Sequence, residues 1–232
     1  MTRLHQKRAL RPELSAQGIR KHPNPMLARV LPLLKRQGSN SKDSLLVVDC
    51  GCGQLRHVKT LLSLSERLVL VDTVTQLKTP HDFFGQKACI RDFVRKQWPR
   101  KAIHVIDSVK FMKARLNADL VFSINVLDVT PRKTRTDILR ACLRNLGPKG
   151  RLIAIVPRNY TWTLRICTRG KVYQDGFVFG HPNGETYYRN WGGASFQSSL
   201  LRHGFKVEQD LSTYRQVCVI CAAKRVVGGR RA

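Results

Sequence analysis

Apolar residues along this chain come in short unbroken runs separated by polar, glycine-bearing turns, and the runs alternate with stretches that repeat every three or four residues. Leu45-Leu46-Val47-Val48 and Leu68-Val69-Leu70-Val71 are of the first kind. Both are too short for helices and lack the alternation of a half-exposed strand, so they predict strands buried on both faces. Ala102 to Ile106, Asp119 to Asn125, Leu152 to Val156, Phe205 to Val207 and Tyr214 to Ala222 predict further strands. Helical spacing lies between them. Leu27, Val30, Leu31 and Leu34 share one face over Met26 to Lys35. Ile138, Leu139, Cys142, Leu143 and Leu146 share another, with Thr134 and Asp137 as a candidate cap and Gly147-Pro148 as the stop. Ser198 to His203 predicts a last helix that Gly204 ends. Alternation of this kind predicts an α/β domain, a mainly parallel sheet with helices on both faces, over residues 26–225.

One region breaks the alternation. Residues 158–194 hold Tyr160, Trp162, Tyr173, Phe177, Phe179, Tyr187, Tyr188 and Trp191 interleaved with Arg165, Arg169, Lys171 and Arg189. Asp175-Gly176 and Pro182-Asn183-Gly184 are turn signals, so a small antiparallel ribbon is expected as an insertion after the fifth strand. Two readings stay open for its aromatics: stacking on a base while nearby guanidinium groups hold phosphates, or forming the ribbon's own small core.

Charge changes the picture most. The 232 residues carry 42 Lys and Arg against 15 Asp and Glu, a formal net charge of +27, and such a field attracts polyanions. A merely solvated basic surface is the alternative. The excess is concentrated in a basic N-terminal arm, residues 1–25, with Arg3, Lys7, Arg8, Arg11, Arg20 and Lys21, and in a tail, residues 226–232, with Arg230 and Arg231. A third cluster, Arg132, Lys133, Arg135, Arg140 and Arg144, follows the fourth strand. Gly38-Ser39-Asn40-Ser41 reads as a flexible joint. No apolar stretch is long enough to span a bilayer, so no membrane partner is expected, and a cytoplasmic location is expected unless the Arg-rich start is an organelle transit peptide. Seven cysteines, an odd number placed mainly in the apolar runs, fit free thiols in a reducing compartment. Cys218 and Cys221 have zinc-like spacing but sit inside an apolar run with no second pair nearby, so core packing is expected and no metal site.

The chemistry is concentrated where the first run meets its turn, at Asp49-Cys50-Gly51-Cys52-Gly53. Glycines there let backbone approach a ligand closely, and Asp72, at the tip of the second run, can accept hydrogen bonds from both hydroxyls of a ribose. A dinucleotide fingerprint needs a third glycine, and Arg56 stands in its place. The acidic residue before the first glycine instead resembles motif I of the class I (Rossmann-like) S-adenosyl-L-methionine (SAM)-dependent methyltransferases. The later strands, the loop Ser123 to Asp128 and the last helix and strand resemble that family too, over roughly residues 45–225. The resemblance implies a Rossmann-like α/β fold with an antiparallel last strand, and SAM as cofactor. It implies that Gly51 and Gly53 line the methionine part of SAM, that Asp49 supports the loop and the cofactor, and that Asp72 holds the ribose. Asp107 and Ser108 fall near the adenine amino group and Asn125 in the loop that closes over the methyl, while Cys50 and Cys52 are small side chains beside the cofactor. The chain departs from the family's pattern in lacking a further glycine near Leu55.

A sulfonium is a strong methyl donor, so the protein's task is to align the acceptor and exclude water; a base is needed only if a proton leaves. Candidate bases are Asp128 in the post-strand loop and His181 or Tyr188 in the insertion, which in this family commonly covers the substrate. The loop has neither the Asn-Pro-Pro-Tyr pattern of adenine-N6 enzymes nor a Pro-Cys nucleophile. The charge points to a nucleic acid, RNA, as acceptor and partner. The loop pulls toward small molecules, carboxyls or modified tRNA bases. Two alternatives stand beside RNA methylation: a small-molecule methyltransferase, or a catalytically inactive SAM-fold protein that binds RNA or assists assembly.

Overall fold

The computed structural model describes residues 10–11, 22–37, 45–158, 169–181 and 183–223. Most of the basic arm, the joint at residues 38–41, Tyr160, Trp162, Arg165, Pro182 and the tail lie outside the described residues, as does the side chain of His181. The described residues form the strands β1 (Leu46–Cys50), β2 (Arg67–Asp72), β3 (His81–Phe83), β4 (Gln86–Ala88), β5 (Ala102–Asp107), β6 (Ala118–Ile124), β7 (Leu146–Pro157), β8 (Lys171–Tyr173), β9 (Gly176–His181), β10 (Gly184–Tyr188), β11 (Phe205–Asp210) and β12 (Gln216–Ala223). Their helices are α1 (Met26–Gln37), α2 (Val58–Leu61), α3 (Val74–Lys78), α4 (Ile90–Gln97), α5 (Ser108–Lys113), α6 (Arg132–Asn145) and α7 (Gly193–Arg202).

Seven strands make the central sheet, in the order β11-β12-β7-β6-β1-β2-β5. β1 is parallel to β2 and β6, β2 to β5, and β6 to β7, while β12 runs antiparallel to both β7 and β11. The unbroken apolar runs have a simple cause: successive residues feed opposite cores. Val47, Leu68 and Phe122 join Leu27 and Val30 of α1 and Phe93 of α4 on one face. Val48, Val69 and Val121 join Phe111 of α5, Leu139 of α6 and Leu200 of α7 on the other. Cys218 faces the first core and Cys221 the second, so the pair with zinc-like spacing is divided between the two faces of β12.

Local signals and tertiary context part company around α6. The helix begins at Arg132 with Pro131 at its N-cap, a turn before the cap expected at Thr134. Gly147-Pro148 lies within β7, which begins at Leu146. The glycines here serve close strand packing: a Cβ on Gly150 would overlap the Ala118 carbonyl of β6.

The insertion is the expected ribbon, a three-stranded sheet in the order β10-β9-β8. Tyr187, Tyr188 and Trp191 are buried, so these rings serve packing, while Tyr173 is exposed. A segment of the basic arm docks on the ribbon's free edge. Leu10 bridges to Glu185, and the Arg11 amide donates to the Glu185 carbonyl at 2.8 Å.

Candidate functional site

The C-terminal ends of β1, β2 and β6 meet at a cavity of about 150 Å3 on the α5–α6 side of the sheet. Its rim is the glycine turn. Amides of Gly51 and Cys52 both donate to the Val71 carbonyl, at 2.8 and 3.0 Å, which hooks the turn over the end of β2. Gly51 has φ +86°, and a Cβ on it would overlap Val126 Cγ2, so only glycine lets the turn lie against the loop after β6. At Leu55, close to where the family pattern has a further glycine, the backbone adopts the left-handed conformation, φ +66°, with the side chain fully buried. Apolar burial holds in place a backbone that glycine would adopt without strain.

Asp72 ties the turn to β2. Its carboxylate accepts the Gly53 amide at 2.7 Å through one oxygen and the Thr73 amide at 2.8 Å through the other. Gly51, Gly53, Asp72, Ser108 and Asn125 all line the cavity, together with Cys50. Asp107 does not line it; its carboxylate caps α5 by accepting the Lys110 amide at 2.9 Å. The Cys50 thiol is pushed well above its ordinary pKa by a hydrogen bond with Cys142 and by burial, which suits it to packing. Cys52 belongs to the core on the opposite face.

Several buried polar atoms near the glycine turn and the loop after β6 have no hydrogen-bond partner among the described residues: both carboxylate oxygens of Asp49, Ser123 Oγ, Asn125 Oδ1 and Asp128 Oδ1; of these residues Asn125 lines the cavity and Asp49, Ser123 and Asp128 do not. Buried polar groups are nearly always paired, so such a cluster points to a missing ligand or water. Asn125, at φ +56°, also stores backbone strain. Asp49 is 1% exposed, and burial, with the charge of Asp72 adding to it, pushes its carboxyl up to about 7. Burial raises Asp128 to about 7 as well.

Among the described residues, none of the candidate bases lines the cavity. Asp128 belongs to the same loop as Val126, Val129 and Thr130, which do line it, but is buried off the wall, and its carbonyl accepts the Arg189 amide at 2.7 Å. Tyr188 is buried in the ribbon, and the His181 side chain is outside the described residues.

Sequence reasoning passed over two sets of residues. Phe111 and Met112 of α5 face Thr134, Ile138 and Ala141 of α6 across the cavity, and the last three are spaced by four and three, a signal of a shared face. The second set centres on Asp175 at the tip of the ribbon. Its carboxylate pairs with the guanidinium groups of Arg135 and Arg189 and accepts the Tyr187 hydroxyl at 2.5 Å. Both arginines lie over the Trp191 ring, 4.9 and 3.8 Å from its centroid, and Arg135 also donates to the Thr130 carbonyl at 3.0 Å. The neighbouring Gln174 side-chain oxygen accepts the Arg132 amide at 3.0 Å. The ribbon is therefore pinned to the first turn of α6 and to the loop at the cavity. Arg135, one of the basic cluster that follows the fourth strand, is only 3% exposed and internally neutralised; Arg132, Lys133, Arg140 and Arg144 are exposed.

No protein-family model matches the chain. It is 22% identical over 160 residues to the uncharacterized protein YmfD of Escherichia coli (strain K12), a stretch that covers 69% of this chain and 72% of that protein. Among solved structures it resembles a Burkholderia thailandensis 1,6-didemethyltoxoflavin-N1-methyltransferase with bound S-adenosylhomocysteine (TM-score 0.60, 13% identity, 89% of this chain and 78% of that one). It also resembles the PH0226 protein of Pyrococcus horikoshii OT3 (TM-score 0.62, 15% identity, 90% and 95%). A third neighbour is the magnesium protoporphyrin IX methyltransferase of Synechocystis PCC 6803, also with bound S-adenosylhomocysteine (TM-score 0.55, 14% identity, 84% and 81%). The chain has the Rossmann-like fold of the class I SAM-dependent methyltransferases.

Proposed function

We propose that this chain is a SAM-dependent methyltransferase whose acceptor is RNA. The observation that carries the enzyme reading is the convergence of Gly51, Gly53, Asp72, Ser108 and Asn125 on one cavity at the C-terminal ends of parallel strands, where α/β sheets bind ligands. The residues present fit the cofactor. Asp72 lines the cavity, and since a carboxylate offers about four acceptor sites it can receive a ribose hydroxyl beside the Gly53 and Thr73 amides. Ser108, on the cavity wall, takes the adenine side. Asn125, on the cavity wall, supplies an unpaired acceptor oxygen for a cationic ligand, while Asp49, buried behind the glycine turn and not on the wall, acts on that ligand only through its charge. When bound, SAM supplies a methyl group on a sulfonium cation.

The chain's own work is alignment and exclusion of water. The ribbon, pinned through Asp175 and joined to the 125–130 loop by the Arg189 amide on the Asp128 carbonyl, holds that loop against the cavity. A rate that rises through an apparent pKa near 7, and loses that dependence in Asp128→Asn, would make Asp128 the proton acceptor instead.

The RNA assignment is supported by the net charge of +27 and by its placement beside the cavity. Lys110 and Lys113 of α5 and Arg132, Arg140 and Arg144 of α6 are exposed there, and Asp137 offsets only Lys133, at 3.1 Å. A small-molecule acceptor is the second reading. It is favoured by the apolar wall of Phe111, Met112, Val129 and Ile138, and by the substrates named for the toxoflavin and porphyrin neighbours.

Calorimetry tests the cofactor: SAM should bind, and Asp72→Ala should weaken it by about 1–3 kcal/mol through lost hydrogen bonds. No binding at high micromolar SAM would overturn the enzyme reading. Transfer of labelled methyl from SAM into fractionated cell extract tests the acceptor. Label in RNA is expected, and label confined to small molecules would establish the second reading.

A further inference from the structure

β5 is the last strand of the central sheet and, among the described residues, pairs on one side only, with β2. Its free edge and α4 bound a groove of about 370 Å3, set apart from the cavity and lined by Arg91, Arg95, Trp98, Lys101 and His104. The helix is anchored by Phe93 and Val94, buried in the core, which leaves Arg91 and Arg95 one turn apart and both on the groove wall. Arg91 donates to the Val105 carbonyl at 3.2 Å, which fixes its guanidinium at the strand edge. Among the described residues the groove wall carries no carboxylate. Glu66, paired with Lys101, stands outside it. Like charges one turn apart on a helix repel, and a bound anion relieves that repulsion. Trp98 adds an aromatic surface; it is half-buried, with its ring edge-on to Phe93 at 6.1 Å. Guanidinium groups beside an aromatic ring form the combination that holds single-stranded nucleic acid, charge on the phosphates and a ring for a base.

We propose that this groove binds the phosphodiester backbone of the RNA acceptor, away from the methyl-transfer cavity. The inference rests on the RNA reading above. His104 lies on the groove and Ser108 on the cavity, about 13 Å apart along the chain at about 3.3 Å per strand residue, and because β5 is the edge strand a single-stranded segment that passes around that edge, from the α4 side of the sheet to the α5–α6 side, can reach both.

The test is a salt series on binding of a fluorescein-labelled, mixed-sequence, single-stranded oligoribonucleotide to the full chain. Each lost arginine-to-phosphate contact lowers the slope of log affinity against log salt by about 1. The double variant Arg91→Ala, Arg95→Ala should therefore lower the slope by about 2, and Arg95→Gln alone by about 1. Lys96→Gln, on the same helix but outside the groove, should leave it unchanged. SAM calorimetry on each variant verifies the fold, and Arg95→Gln carries the test if the double variant fails to fold. Wild-type slopes retained in the groove variants would overturn this proposal alone. A wild-type chain that binds no RNA would overturn the RNA reading with it. Arginine-dependent binding of polyglutamate, with RNA binding unaffected, would reassign the groove to an acidic protein.

Discussion

Replacing Asp49 by asparagine separates what the buried carboxylate costs the fold from what it does for a ligand. The carboxyl has an ordinary value of 3.8 and is raised to about 7 by burial, with the charge of Asp72 adding to it. An acid whose folded value lies above its unfolded one stabilises the fold fully below the unfolded value, and that stability is lost as pH rises to the folded value. For Asp49 the window is roughly pH 4 to 7. At about 1.4 kcal/mol per tenfold change in proton affinity, the site's share of the wild type's stability should fall by about 2–3 kcal/mol between pH 5 and pH 8. The amide in Asp49→Asn does not titrate; burying it costs about 1–3 kcal/mol at every pH, and this drops out of the difference between the two pH values. Urea unfolding of both proteins at pH 5 and 8 measures that difference, with Asp128 contributing equally to each. The same carboxylate should attract cationic SAM, so wild-type SAM affinity should rise as pH passes 7 while the variant's stays flat. Parallel unfolding curves for the two proteins across this range would refute the buried, unpaired carboxylate. Parallel SAM curves would refute its role beside the cofactor.

Gly51→Ala should destabilise by about 2–5 kcal/mol, the left-handed backbone and the overlap with Val126 each contributing, and adding Val126→Ala should recover only the overlap part. Chemical denaturation of the single and double variants checks this, and full recovery would show that φ carries no strain. Asp175→Asn leaves the buried Arg135 guanidinium without its neutralising partner, so stability should fall by about 3–5 kcal/mol at neutral pH. A loss below about 1 kcal/mol by thermal or urea unfolding, the scale of an exposed pair, would count against that burial.

Where a residue's role was set by its neighbours in sequence, it could be read. β1 and β2 are visible as unbroken apolar runs because each residue meets a core on one face or the other, and the turn at Gly51 and Gly53 follows from the strand it ends. The start of α6 could not be read. Thr134 and Asp137 have the local form of a cap, but the ribbon reaches the first turn through Gln174 and Asp175, and the helix begins at Arg132. Arg135 and Asp175 are 40 residues apart, so no window along the chain joins them. The groove between α4 and β5 was hidden for the same reason, since Arg91, Arg95 and His104 become neighbours only when the edge strand is laid beside the helix.

The charge a sequence counts therefore differs from the charge a partner meets. Arg135 and Arg189 are part of the +27, yet they spend their charge on Asp175 and the Trp191 ring and have little left for a phosphate. Arg91 and Arg95 were part of the same total and drew no notice in the sequence, although they line a groove without a carboxylate among the described residues. Net charge bounds the pull on a polyanion, and the salt slope reports how many phosphates it meets. A slope that responds to Arg91 and Arg95 and not to the Arg135 pair would follow from this arrangement; a slope indifferent to which arginines are removed would mean that the field of the whole surface, and no built groove, does the binding.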